Sequence, residues 1–144
     1  MPFAQETLDH FLSTYEQNTV NPDPDVVVTQ FADTFIAGGP SGAMVVPAAL
    51  FAERLPARKR RFQEAGLQST ELRARRDRRI GDRYVLVETE WTMNFVPEGK
   101  PATSLTVTSS FLIDMGGSEP RILAYLAHQD IFQMMQERML LPPH

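Results

Sequence analysis

The stretch Tyr84-Val85-Leu86-Val87-Glu88-Thr89-Glu90-Trp91-Thr92-Met93-Asn94-Phe95 is the part of this chain whose reading decides the fold. Its odd positions from Val85 to Phe95 are apolar or nearly so, while Glu88, Glu90 and Asn94 stand between them. A period of two gives a strand one buried and one solvated face. Leu105, Val107, Ser109, Phe111 and Ile113 repeat the pattern against Thr106, Thr108 and Ser110. Turn signals at Gly81-Asp82, at Pro97-Glu98-Gly99-Lys100-Pro101 and at Gly116-Gly117-Ser118-Glu119-Pro120 delimit four antiparallel strands from Leu67 onward.

Upstream of these strands the period is helical. Leu8, Phe11, Leu12 and Tyr15 recur at i, i+3, i+4 and i+7, a single buried stripe on a first helix opened by Gln5 or Thr7. Asn21-Pro22-Asp23-Pro24-Asp25 supplies a cap and a proline for a second helix over about Pro24 to Ala32. A brief strand at Phe35 to Ala37 stops at Gly38-Gly39-Pro40-Ser41-Gly42, and Met44 to Val46 forms another. Pro47 opens a third helix bearing Leu50, Phe51, Leu55, Phe62 and Ala65. Gly66 follows its end, and Pro56 is expected to kink or split it. Ile131 to Leu141 reads as a helical tail. The expected architecture is a single α+β domain over residues 1–144, a curved antiparallel sheet wrapped around N-terminal helices into a cone.

Composition narrows the chemistry. The chain of 144 residues suits one core, and it has no cysteine, which removes disulfides, thiolate catalysis and cysteine-bound metals. Its histidines, His10, His128 and His144, form no His-x-x-x-His grip, so no metal site is expected. Neither a nucleotide-binding glycine pattern nor a nucleophile elbow occurs, and no cofactor is expected. With no run of 18 apolar residues and no leader pattern, the expectation is a cytoplasmic protein without a membrane span. The net charge of −4 conceals an asymmetry: Arg54 to Arg83 holds eleven of the fourteen basic residues against Glu64, Glu71, Asp77 and Asp82. A pI near 5.3 and the absence of aromatic residues within Arg73 to Arg79 speak against nucleic acid as the partner. A solvated face, or attraction to acidic parts of the same protein or of a second copy, accounts for the basic middle.

This pattern resembles the nuclear transport factor 2-like superfamily, the cystatin-like α+β cone that also hosts ketosteroid isomerases and polyketide-cyclase-like proteins. The carriers of the resemblance are Phe31-Ala32-Asp33-Thr34-Phe35-Ile36, the proline-started third helix and the long meander ending His128-Gln129-Asp130. The resemblance implies a pocket between the curled sheet and the helices, and a homodimer through the outer face of the sheet. It also marks a departure. The isomerases carry their aspartate base just before a proline on the strand after the second helix, and Gly39 stands there, before Pro40. A glycine abstracts no proton, and that chemistry is disfavoured.

The remaining acid–base candidates are His128 and Asp130. A turn at Gly116 that pairs Phe111 with Ala124 sets Val107 opposite His128 and Leu105 opposite Asp130, and opposed residues share a face. Both then join Trp91, about 7 Å apart along the strand, with His128 as general base or orienter and Asp130 as its electrostatic partner. The competing reading makes His128 a core-edge residue bonded to backbone and Asp130 the cap of the final helix. Tyr15, Thr89, Trp91, Met93, Ser109 and Phe111 are the candidate ligand-binding wall, although Thr89 and Ser109 can equally bond within the sheet. Two functions follow: a pocket for an unknown small hydrophobic molecule, in a divergent or vestigial isomerase, cyclase or hydrolase, or a non-catalytic dimeric protein-interaction module.

Overall fold

A computed structural model describes residues 3–141. Helix α1 (Gln5–Gln17) buries Leu8, Phe11 and Leu12, the stripe its spacing requires. Helix α2 (Pro24–Gln30) starts on Asp23, whose side chain accepts the Asp25 backbone N–H at 2.9 Å. Strands β1 (Phe31–Gly39) and β2 (Gly42–Pro47) form a hairpin, and α3 (Ala48–Glu64) follows. The meander β3 (Leu67–Ile80), β4 (Tyr84–Phe95), β5 (Thr103–Asp114) and β6 (Arg121–Ala127) precedes α4 (Ile131–Glu137).

The six strands make one open sheet in the order β2-β1-β6-β5-β4-β3. Every neighbouring pair is antiparallel except β1 and β6, which run parallel, so the sheet is mixed. This is the α+β arrangement expected, with the helices on the concave face. The odd positions of β4 and β5 face them: Val85, Val87, Trp91, Met93, Phe95, Leu105, Val107, Phe111 and Ile113 are all buried beside Leu8, Leu12, Ile122 and Met135.

Three details differ from the sequence expectation. Strand β1 begins directly at Phe31, where α2 was expected to continue to Ala32. Phe31 and Phe35, four apart, are both buried. They share the inner side of the strand because, at a period of two, residues four apart lie on one face. Helix α3 is not split at Pro56, which sits on its exposed side and deprives only the Ala52 carbonyl of an intrahelical donor.

The third difference moves the site. At the turn end of the last hairpin, Asp114 pairs with Arg121 and Ile113 with Ile122, the register extrapolated from the sequence. A bulge then leaves Leu123 without an opposite residue, and beyond it Phe111 pairs with Tyr125 and Ser109 with Ala127. One inserted residue exchanges the two faces of everything after it. Tyr125 therefore takes the inner position expected for Ala124, and His128 leaves the Trp91 face. Its backbone N–H donates to the Thr108 carbonyl at 3.0 Å, among the even-numbered, outward residues of β5.

Candidate functional site

Between the concave face of the sheet and α1, α2 and α3 lies a cavity of about 620 Å³. That is within the range of roughly 300–1,000 Å³ typical of small-molecule sites. Its deep wall is aromatic. Tyr15 meets Phe111 edge-on at 5.1 Å between ring centroids and Trp91 at 6.0 Å, and Tyr125 also packs against Phe111 at 5.1 Å. Phe31, Phe35 and Phe51 form a second cluster, with centroid separations of 4.4 to 5.4 Å. The other end is bordered by the exposed hairpin residues Gly39, Ser41, Gly42, Ala43 and Met44, where the cavity reaches solvent.

The polar groups within this wall fall into two sets. The first is self-satisfied. Trp91 Nε1–H donates to Thr89 Oγ1 at 2.8 Å, and Thr89 Oγ1 donates to the Ser109 carbonyl at 2.9 Å and lies 2.7 Å from Ser109 Oγ. This cross-strand knot locks the indole and leaves Thr89 with no capacity directed at a ligand. The second set is unspent. Among the described residues, neither the Tyr15 nor the Tyr125 hydroxyl has a hydrogen-bond partner. Burial raises both phenols above their ordinary value, so both remain neutral O–H donors at physiological pH. Gln30, buried on the same cavity, has an amide Nε2 with no partner among the described residues.

Two cations border the cavity and no carboxylate does so among the described residues. Lys59 Nζ is engaged by Asn21 Oδ1. Arg58 lies with its guanidinium carbon 5.1 Å from the Phe62 ring centre and 5.3 Å from that of Phe132. Phe62 and Phe132 stack on each other at 5.2 Å, which joins α3 to α4 over the cavity. Arg58 has no ion pair or hydrogen bond among the described residues, and its positive charge acts on both tyrosine hydroxyls.

Of the residues read from the sequence, Tyr15, Trp91, Met93, Ser109 and Phe111 come together on the cavity, and Thr89 supports Trp91 from behind. His128 and Asp130 do not join them. His128 Nδ1 lies 2.8 Å from Thr108 Oγ1 and Nε2 2.8 Å from Ser110 Oγ, both on the outer face, as the bulge at Leu123 requires. Asp130 Oδ1 accepts the Gln133 N–H at 3.1 Å and caps α4. The acid–base pair expected beside Trp91 is thus not assembled there. No group of three or more His, Asp or Glu side chains suited to a metal occurs among the described residues, and His144 lies outside them.

Sequence reasoning missed Tyr125 and Arg58. Nothing in the local pattern announces the bulge that turns Tyr125 inward. Arg58 did leave a signal: it occupies the position between Leu55 and Phe62 in the stripe Phe51, Leu55, Arg58, Phe62, a cation on an apolar helix face.

The fold is shared with solved structures of low sequence identity. A nuclear transport factor 2-like superfamily protein from Salmonella enterica superposes with a TM-score of 0.66 at 14% identity, over 86% of this chain and 89% of that one. The beta subunit of the benzoate 1,2-dioxygenase of Burkholderia mallei gives a TM-score of 0.68 at 14% identity, over 93% and 95% of the two chains. A putative Ca/calmodulin-dependent kinase II association domain from Exiguobacterium sibiricum gives 0.62 at 11%, over 89% and 95%. No family model and no curated protein matches the sequence. The chain has the nuclear transport factor 2-like fold, and at these identities the likeness defines the fold and leaves the activity to the site.

Proposed function

We propose that this protein binds a small hydrophobic molecule in the cavity between the sheet and the helices. The observation that carries the reading is the cavity itself: about 620 Å³ walled by Phe31, Phe35, Phe51, Phe111 and Trp91, with two tyrosine hydroxyls free to orient a guest. A cavity of this size, apolar and rigidly walled, is costly to leave unfilled in a domain that could have closed over it. The aromatic wall selects for apolar bulk, and the hairpin end admits it. The lining groups suit holding and orienting a guest better than moving a proton, because the imidazole and carboxylate expected at the site, His128 and Asp130, are spent on the outer face and on a helix cap.

Trp91 is the sole tryptophan of the chain and stands in the cavity wall, so its fluorescence reports occupancy directly. Titration with the neutral apolar probe N-phenyl-1-naphthylamine should quench Trp91 by energy transfer and raise the melting temperature. A Phe111→Asp variant that still folds should lose both effects. An unchanged tryptophan spectrum at saturating probe would refute the reading.

A homodimer accompanies the proposal. Ile36 and Leu126, 44% and 42% exposed, lie near Leu86, Leu112 and Ala124 on the outer face of the sheet, an apolar strip that a second copy would cover. Two structural neighbours are, by description, a subunit and an association domain. No helix among the described residues is long and apolar enough to cross a membrane.

A further inference from the structure

We infer that the guest of this cavity is a hydrophobic monocarboxylate, whose anionic end is held by the Arg58 guanidinium and the hydroxyls of Tyr15 and Tyr125. This deepens the pocket reading and rests on it. The apolar wall alone would accept any neutral hydrocarbon of suitable size. The unspent polar groups are what restrict the choice.

Each of those groups can donate. Arg58 offers five N–H bonds and no acceptor, and Tyr15 and Tyr125, held neutral by burial, each offer an O–H. Among the described residues no Asp or Glu borders the cavity to satisfy them, in a protein that carries 18 acidic residues against 14 basic ones. A cation on an apolar helix stripe with no counter-ion is costly unless something else brings the charge. Arg75 and Arg83 show the contrast, the first paired with Asp9 and Asp77 and the second with Asp114.

The geometry suits a planar anion. The guanidinium lies beside the Phe62 and Phe132 rings, which hold it by their faces and leave its N–H edge for an acceptor in its own plane. A carboxylate accepts two parallel N–H bonds from such an edge and keeps lone pairs for the two phenols. Both phenol rings pack against Phe111, each 5.1 Å away between centroids, so that ring would contact the apolar body of the guest. The Arg58 guanidinium offers a fork of paired N–H donors that matches the two oxygens of one carboxylate, while Lys59 donates to the neutral Asn21 amide.

The test compares two guests that differ in charge alone, biphenyl-4-acetate and its neutral amide biphenyl-4-acetamide, titrated calorimetrically at neutral pH with Trp91 fluorescence read in parallel. The acid should bind at least about tenfold tighter than the amide, as expected of charge-assisted hydrogen bonds in a desolvated site. Arg58→Gln should remove that preference while leaving the amide affinity within about threefold. Arg58→Lys should retain part of it, and Tyr125→Phe should weaken the acid severalfold and the amide less. Melting curves of each variant establish that it is folded, and the Tyr125→Phe result stands independently should Arg58→Gln fail to fold. Equal affinity of acid and amide for the native protein, or an acid affinity indifferent to both substitutions, would overturn the monocarboxylate assignment while leaving the pocket intact. Failure of the acid, the amide and N-phenyl-1-naphthylamine alike to perturb Trp91 would overturn both.

Discussion

The knot of Thr89, Ser109 and Trp91 yields the sharpest quantitative test of the site's construction. Thr89→Val exchanges a hydroxyl for a methyl of similar size, so the core keeps its volume and loses one polar atom. That atom accepts the indole N–H at 2.8 Å and donates to Ser109 at 2.9 Å, in a place where Thr89 and Ser109 are both 4% exposed. Water cannot replace it without opening the sheet. The orphaned indole donor should cost about 1–3 kcal/mol, with the lost Thr89 bond partly offset by the added methyl. A net loss of about 2 kcal/mol corresponds to a melting temperature lower by roughly 6–8 °C in a domain of this length. Thr89→Ser, which keeps the oxygen, should cost about 1 kcal/mol for its missing methyl group. The assay is urea unfolding followed by far-ultraviolet circular dichroism, carried through the double-mutant cycle of Thr89→Val with Trp91→Phe. Removing the indole N–H as well should relieve the orphan, giving a coupling of about 1–2 kcal/mol. Additivity of the two substitutions within about 0.5 kcal/mol would mean that the bond does not hold Trp91, and the argument for a pre-set cavity wall would fail with it.

Other expectations follow from single features. At Gly66, φ is +85° and an added Cβ would lie 2.4 Å from the Val96 carbonyl oxygen, whereas at Gly99, φ +72°, it would meet nothing; Gly66→Ala should therefore destabilise well beyond the roughly 1 kcal/mol expected of Gly99→Ala, as read by chemical denaturation. The Arg83 side chain, by hydrogen bonding, holds the Asp114 carboxyl below its ordinary pKa, so its stabilisation is present above about pH 4 and is lost as pH falls through the lowered folded value. The stability gap between the native protein and Asp114→Asn should close on acidification, and a gap independent of pH would contradict the ion pair. Burial raises the Tyr15 and Tyr125 phenols above 10, so the folded state is favoured below that pH and loses stability as the unfolded phenols ionise above it. Tyr15→Phe should flatten that alkaline decline in thermal unfolding at successive pH values, and an unaltered slope would show the phenol to be solvated. Leu126→Glu, on the exposed apolar strip, should shift sedimentation from dimer to monomer without lowering the unfolding midpoint of the monomer; a native protein that sediments as a monomer would remove the dimer from the proposal.

Most of the fold was legible before any coordinates, because it rests on periodicity. The alternation from Val85 to Phe95 and from Leu105 to Ile113 dictates two strands with one buried face. The stripe Leu8, Phe11, Leu12, Tyr15 dictates the helix that covers them, and the turn residues Gly81 and Gly99 take the positive φ that tight connections need. Five of the cavity residues, Tyr15, Trp91, Met93, Ser109 and Phe111, follow from those faces alone. Their assignment required no pairing across strands.

What the tertiary structure decided depends on pairing. A period of two makes the face of a residue hang on the parity of its distance from the turn, and a single bulge reverses it. Leu123 is that residue: it sends Tyr125 into the cavity and His128 out to Thr108 and Ser110, and no local feature of Arg121 to Ala127 announces it. The pairing of β1 with β6 likewise begins the strand at Phe31, where the second helix was expected to run on to Ala32. Arg58 is an intermediate case, since its place on an apolar stripe was written in the chain, but that it lacks a counter-ion is a property of everything packed around it. Local chemistry sets which residues can be buried together; long-range register sets which of them meet at the site.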